Sequence, residues 1–477
     1  MLVFFTGCQS YRRKPLDTAD IFRQVELERR KNHSNSVDEF RPAVPAEPLG
    51  FGQAANCLSR NGPSLREARA EYETALAAAK LKTPLPNPGL EVGPNFGFGP
   101  DIGDVNRVQP FGSLGFSIPL GKRLRRQDEL NRALAERARV EWILRHREAF
   151  LELRALYANW ALSLSRLKEM QLVAKSAERS VQVGRSGVAA GFATALDVGM
   201  LEIEAARARL STLEAEDRRA EVEAALAELL GIHTERLAVA PNDALPELPA
   251  QIPSEAELKV WMLAHHPELA RLRADYEASE RGLRLEIARQ YPDFHFGPSY
   301  DGETGEKKMV LGLTLGLELP LFDRNQQGIA TATLKREELR IKYTAAAHRA
   351  LARLDRARRG CQWAAERHRL LASTLRPHAK AQLDLAARSL EAGASDALHF
   401  LDAERSYRSV VAESLEAEVS VYQTWIALEQ AVGFPILSFE SGVESELPET
   451  PPAAETAPEE SIENALEQSR SQEKGED

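Results

Sequence analysis

Lys308-Met-Val-Leu-Gly-Leu-Thr-Leu-Gly-Leu-Glu-Leu319 is the stretch from which the fold is read. Met309, Leu311, Leu313, Leu315, Leu317 and Leu319 make one face; Val310, Gly312, Thr314, Gly316 and Glu318 make the other. Period two is the signature of a β-strand. Just upstream, Phe294, Phe296, Pro298 and Tyr300 alternate with Asp293, His295, Gly297 and Ser299, so 293–301 and 308–319 read as a hairpin. An apolar face opposite a small, polar one is what a barrel wall between lipid and water requires. A strand of a soluble sandwich reads the same way.

An earlier pair repeats the pattern. In 89–99, Leu90, Val92, Pro94, Phe96 and Phe98 alternate with Glu91, Gly93, Asn95, Gly97 and Gly99; in 108–119, Leu114, Phe116 and Ile118 alternate with Ser113, Gly115 and Ser117. The recurrence extends well beyond the strands. Pro63-Ser-Leu-Arg-Glu-Ala-Arg-Ala-Glu-Tyr72 aligns with Pro267-Glu-Leu-Ala-Arg-Leu-Arg-Ala-Asp-Tyr276, and Pro88, Gly93, Pro119, Gly191 and Gly231 meet Pro292, Gly297, Pro320, Gly393 and Gly433 at nearly constant offset. A period this long points to one tandem duplication rather than a solenoid. Residues 63–240 form the first repeat, 241–253 a linker and 254–436 the second repeat.

Each repeat then carries long helices. From Gly121 to Gly184 there is no proline, and Ala, Leu, Arg and Glu dominate. Phe150, Leu153, Tyr157, Trp160, Leu164 and Leu167 recur at alternating spacings of three and four, a heptad seam. At ~1.5 Å per residue the stretch spans roughly 96 Å. Phe322–Gly393 is comparable, with Pro377 expected to kink it and Gly360 to soften it. Return helices are predicted at Leu196–Leu230 and Leu398–Val432, so each repeat closes in a long antiparallel hairpin.

The ends read differently. Met1-Leu-Val-Phe-Phe-Thr-Gly-Cys8 looks like the tail of a lipoprotein signal, with Cys8 the expected acylated residue and the true start upstream. The rest of 1–62 reads as an extended arm. The tail, 437–477, is rich in Pro, Glu and Ser and is expected to be disordered. From Ser441 onward eleven acidic residues face Arg470 and Lys474, so the tail holds nearly all of the net charge of −10. The near-neutral body gives no electrostatic case for nucleic acid. Three cysteines make no disulfide framework. No run of eighteen apolar residues occurs, which excludes a transmembrane helix but not a barrel.

The pattern over roughly Gly62 to Phe434 resembles the outer-membrane efflux protein family, the TolC-like ducts. The closest match is Arg388-Ser-Leu-Glu-Ala-Gly393-Ala-Ser-Asp396-Ala-Leu398-His-Phe-Leu-Asp402, similar to the family's hairpin-tip motif, with Arg185-Ser-Gly187-Val-Ala-Ala-Gly191-Phe-Ala-Thr-Ala-Leu196-Asp197 as the first copy. Pro320-Leu-Phe-Asp-Arg-Asn-Gln-Gln-Gly328 is similar to a stretch typical of the cobalt–zinc–cadmium branch, which serves heavy-metal pumps. The resemblance implies a mainly α fold with β: helical hairpins forming a periplasmic α-barrel, and four strands per chain entering a trimeric, twelve-stranded barrel in the outer membrane. It implies a homotrimer in contact with outer-membrane lipid, a periplasmic adaptor and an inner-membrane pump of the resistance–nodulation–division class. A four-stranded sheet alone in lipid would leave two open edges, which closure between chains removes.

The resemblance assigns adaptor docking to the two tips, through Arg185, Gly187, Gly191, Leu196, Arg388, Gly393, Asp396 and Leu398. It puts Asp197, His399 and Asp402 at the pore constriction, with His399 standing where the family typically has an aspartate. No cofactor is expected. His265-His266 and the Cys361/His368 pair do not converge three metal ligands, and no phosphate loop or nucleophile elbow occurs, so an enzyme is not expected. The rival class is a periplasmic adaptor or structural coiled-coil protein, which would share the hairpins but not the two matched strand pairs.

Overall fold

The computed structural model describes residues 16–31, 49–96, 108–191, 193–237, 248–249, 251–303, 308–391 and 397–437. Cys8, Gly393, Asp396, most of the expected linker and the tail beyond residue 437 lie outside them.

The chain runs through α1 (Thr18–Lys31), α2 (Phe51–Asn61) and α3 (Pro63–Lys80) into β1 (Gly89–Phe96) and β2 (Val108–Pro119). Next come α4 (Arg123–Ala190) and its return, α5 (Ala195–Leu230). The order then recurs: α6 (Glu255–His265), α7 (Pro267–Ala288), β3 (Asp293–Glu303), β4 (Lys308–Leu317), α8 (Gln326–Leu370), α9 (Arg376–Glu391) and α10 (Ala397–Val432). α2 and α6 have equal length and start 204 residues apart, at 51 and 255, and α3 and α7 each open on a proline at the same offset. Proline suits that first turn, where its missing N–H leaves no bond unmade.

The arm expected through residue 62 is interrupted by α1 and gives way to packed structure at Leu49. Phe51, Ala54, Ala55 and Leu58 sit at i, i+3, i+4 and i+7 of α2, so one face is apolar, and that face is buried. It packs against Leu153, Tyr157 and Trp160 of α4 and Leu226 and Leu230 of α5, and Tyr157 Oη donates to Leu49 O at 3.0 Å. The heptad seam read from the sequence thus lines this core. A second core brings Leu258 and Met262 of α6 against Ala350, Leu354 and Cys361 of α8 and Val421, Trp425 and Leu428 of α10. Between the two cores lies a buried ion pair. Arg154 of α4 and Glu429 of α10 are 0% and 1% exposed and meet through Nη2–Oε1 at 2.8 Å and Nε–Oε2 at 3.2 Å. Glu429 also accepts from the backbone N–H groups of Ile436 and Leu437, and Arg154 bonds Leu437 O. Those additional bonds satisfy a pair that burial alone would make costly.

Away from this waist, α4 packs on α3 and α7 toward the sheet and on α5 and α10 toward the far end. Its 68 residues span about 100 Å. Capping boxes start α5 (Thr194 with Asp197) and α6 (Ser254 with Glu257), reciprocally satisfying backbone donors at the first turn. The helix departs from α geometry one turn before Pro377. Residues Leu371–Leu375 widen into a π-turn in which the Arg376 N–H reaches back to Leu371 O. The looser turn makes room for a ring that lacks the donor and crowds the carbonyl four residues back. Gly360 lies within unbroken helix. Among the described residues no helix is long and apolar enough to cross a membrane.

Candidate functional site: sheet faces, hairpin ends and the charged seam

All four strands join in one antiparallel sheet in the order β1-β2-β3-β4. Over most of the sheet the register stacks like upon like, with Asp301 between Phe111 and Val310 the exception on the polar face. Leu90 faces Leu114; Phe116 faces Phe296, which faces Leu315; Ile118 faces Phe294, which faces Leu317; Pro298 faces Leu313; Tyr300 faces Leu311. The Phe116 and Phe296 rings stack at 5.2 Å. On the other face Glu91 meets Ser113, Ser113 meets Ser299 and Ser117 meets His295, while Asn95 Nδ2 donates to Asp301 Oδ1 at 3.4 Å. A slip of one residue anywhere would mix the faces. Val92, Leu311, Leu313 and Leu315 are all exposed, Leu311 by 78%. An apolar surface this continuous marks contact with lipid or another chain. Strands β1 and β4 are the two open edges.

Gly297 is required where β3 meets β2, because a Cβ there would collide with the Leu114 carbonyl oxygen. Where strand becomes helix, Lys122 and Asn325 adopt left-handed backbone conformations. Pro320–Gly328, the stretch similar to the metal branch, forms the second of these corners. Asn325 Nδ2 donates to Glu286 O at 2.9 Å and Oε2 at 2.7 Å, Asn325 N to Asp323 Oδ1 at 2.8 Å, and Gln326 Nε2 to Phe322 O at 2.9 Å. Those side chains build the corner, so their pattern is explained without reference to cargo. Phe322 at one corner is 92% exposed and Tyr291 near the other is half-exposed, a placement suited to a bilayer interface.

The hairpin ends lie at the opposite pole from the sheet. α4 stops at Gly191 (φ 82°), whose N–H reaches Val188 O at 3.1 Å; Ala193 N donates to Gly187 O at 3.3 Å. The chain reverses within a few residues. Arg185 Nη2 bonds Glu202 Oε1 at 2.6 Å across the hairpin, and Leu196 is exposed. At the second end Arg388 is exposed, its Nε donating to Asp384 O at 3.1 Å; Gly393 and Asp396 fall outside the described residues, and Leu398 lies in the first turn of α10. Of the three constriction candidates, His399 and Asp402 are exposed in the first turns of α10. Asp197 instead spends its carboxylate on the cap, Oδ2 accepting from Thr194 N at 2.8 Å and Oγ1 at 2.7 Å.

Sequence reasoning missed a buried charged seam between the two hairpins. Glu204 of α5 is buried beneath Arg207 (3.0 Å) and, from α10, Arg405 (3.4 Å) and Arg408 (3.6 Å). Beside it Glu404 of α10 meets Ser180 of α4 at 3.0 Å. A glutamate on an Ala- and Arg-rich helix looks solvated when one chain is read linearly; only the packing of α10 on α4 and α5 buries it.

The histidines act in packing. Arg147 Nη1 donates to His265 O at 3.3 Å and lies 3.4 Å from its Nδ1, and the His265 ring stacks on Phe434 at 4.8 Å. His266 is buried at the start of α7. Burial pushes both imidazoles below their ordinary range, with Arg147 adding to the effect at His265. Cys361 lies in the second core, and burial pushes its thiol up to about 11. Among the described residues no group of three His, Cys, Asp or Glu side chains could hold a metal ion.

A sequence model described as "Outer membrane efflux protein" matches residues 56–232 and again 261–434. The chain is 24% identical over 398 residues to the cobalt-zinc-cadmium resistance protein CzcC of Cupriavidus metallidurans, covering 82% of this chain and 92% of that protein. Its fold is similar to that of the outer-membrane channel OprN, with TM-score 0.68 and 20% identity over 81% of this chain and 90% of OprN. It is also similar to CusC, with TM-score 0.66 and 17% identity over 84% of this chain and all of the other.

Proposed function

The chain belongs to the outer membrane efflux protein family, and on that premise we propose that three copies close into one channel that passes solute from the periplasm to the exterior. Its place is the outer membrane, with the long helices on the periplasmic side. Family members are passive conduits rather than enzymes. The observation that carries the reading is the sheet: an apolar face, a polar face and two open edges, set above helices about 100 Å long. Three such sheets joined edge to edge leave no strand unpaired in lipid, with the polar faces lining water.

The helices support the same closure. α5 and α8–α9 flank the bundle built on α4 and α10. α5 exposes Leu196, Ile203 and Leu210 at spacings of seven, and α8 exposes Leu334 and Ile341, then Trp363 and Leu370, at the same interval. Stripes with a seven-residue period pack helix on helix, so each protomer offers its neighbour a seam continuous with the strand edges. An isolated adaptor or structural coiled coil would have no use for the sheet.

The two hairpin ends are the proposed docking sites for a periplasmic adaptor, which links the channel to an inner-membrane pump of the resistance–nodulation–division class. Heavy-metal cations are the proposed cargo, supported by the similarity to CzcC along most of both chains. Conductance of the purified protein in planar bilayers tests the channel itself, with discrete ion-conducting steps expected. Full-length protein that inserts but never conducts, with or without adaptor, would overturn the reading. For the cargo, metal accumulation in a deletion strain should rise for divalent cations and return to normal on complementation; unchanged accumulation of every metal tried would remove the metal assignment.

A further inference from the structure

We propose that Glu404 is a proton latch: it is carried protonated where α10 packs on α4 and α5, and its ionisation loosens the seam between the two helical hairpins. The hydrogen count at Ser180 is the first argument. Ser180 Oγ lies 3.0 Å from Glu404 Oε1 and 3.3 Å from Ser176 O. A hydroxyl has one hydrogen and cannot donate to both acceptors. A proton on the carboxyl resolves the conflict: Glu404 donates to Ser180 Oγ, and Ser180 donates to Ser176 O. An ionised Glu404 must either take the hydroxyl hydrogen from the α4 carbonyl or go without.

Charge is distributed unevenly between the two carboxylates. Three guanidinium groups stand near two carboxylates, and Arg207, Arg405 and Arg408 all lie within 4 Å of Glu204. Arg408 is turned further toward Glu204 by a bond from Nη1 to its backbone oxygen at 3.5 Å. Glu404, only 4% exposed, has Oε2 without a hydrogen-bond partner among the described residues. The groups facing it are Ser180 from α4, Glu204 with Arg207 from α5, and Arg405 and Arg408 from its own helix. An anion placed there would have one neutral donor, with the Arg408 guanidinium drawn off toward Glu204, so that burial favours the neutral acid. Burial pushes its carboxyl up and Glu204 adds to the rise, against the pull of Arg408 and Ser180.

The sign follows from linkage. A carboxyl raised in the packed state stabilises that packing most at low pH, and the contribution is lost as pH rises through its folded-state value. The seam therefore tightens in acid and loosens toward alkaline pH. The waist is held separately by the Arg154–Glu429 pair, so the hairpins can part below it while the two halves stay joined. A consequence for conduction rests on the channel reading above; the latch does not.

Hydrogen exchange read by mass spectrometry on the full-length assembled protein tests it, with peptides covering 174–186 and 398–410. Short unstructured peptides added to every sample serve as the reference peptides for intrinsic exchange. Glu404→Gln supplies a permanently neutral carboxyl mimic, and comparison at matched pH cancels intrinsic exchange. Wild type and Glu404→Gln should be equally protected at about pH 5, with wild type exchanging measurably faster than Glu404→Gln at about pH 8. Ser180→Ala, which removes the proton's acceptor, should exchange faster already at about pH 5. A wild-type seam whose protection relative to the reference peptides stays flat, or increases, across that range overturns the proposal. Wild type alone carries this result should a variant fail to assemble. Because exchange needs no conduction, failure of the latch and failure of the channel reading are distinguished.

Discussion

The carboxylate of Asp197 and that of Asp402 occupy corresponding hairpin ends and differ in what they bond. Asp197 caps its own helix, which reduces what it can offer a passing cation, whereas Asp402 stands exposed on α10 with His399 one turn before it. If the constriction lies there, three-fold symmetry makes Asp402 a ring of three carboxylates. Asp402→Ala should then reduce cation selectivity and block by multivalent cations, and His399→Ala should flatten the response of conductance between about pH 5 and 8, where imidazole titrates. Single-channel recordings of both mutants that match wild type in all three properties would place the constriction elsewhere. The waist responds to pH in the opposite sense to Glu404. His146, His265 and His266 are held neutral mainly by burial, and a group whose folded value is depressed supports the fold above its unfolded value of about 6.5 and loses that support as pH falls. The melting temperature should therefore drop between about pH 7.5 and about pH 5.5, and His266→Asn should shallow the drop. A melting temperature indifferent to pH over that interval would show that these rings do not govern stability. Neither the histidine packing nor the Glu404 environment was legible in the sequence, because both arise from segments more than a hundred residues apart in the chain.

Strands were the elements most open to reading. Leu311 to Leu319 alternates so strictly that the apolar face follows, and the observed pairing keeps every leucine of β4 on one side. Glycines were harder. α4 runs through Gly184 to Ala190, and there the glycine makes room for Leu201 of α5, a Cβ at that position lying 2.6 Å from Leu201 Cδ1. Gly191 is the true terminator, marked by its positive φ. One residue type served close packing in the first case and chain reversal in the second, and spacing alone does not separate the two uses. α2 was missed for a related reason: Gly50 and Gly52 beside a polar stretch disguise an apolar face that Phe51, Ala54, Ala55 and Leu58 nonetheless spell out. At this scale, Leu313→Arg should cost roughly 2–4 kcal/mol per protomer if that face meets the bilayer midplane, seen as reduced assembly in refolding into lipid; a neutral effect would take the residue out of the lipid-facing wall. Bulky residues at Gly191 and Gly393 together should abolish adaptor binding in a pull-down while leaving assembly intact. Undiminished binding would move the docking site off the hairpin ends.

For the whole molecule, the fold leaves three features unused within one chain: the open edges of β1 and β4, the apolar sheet face, and the seven-residue stripes on α5 and α8. Two unpaired edges on one chain suit a head-to-tail contact that closes into a ring. Three chains joined head to tail pair the strand edges and bury the stripes, leaving the apolar face to lipid, which neither repeat nor a single chain achieves alone. Native mass spectrometry of the full-length protein released from detergent tests this closure most directly. The account predicts a particle of three chains, close to three times 52.8 kDa apart from any lipid carried on the chain. A single-chain particle that still conducts when returned to a bilayer would contradict it.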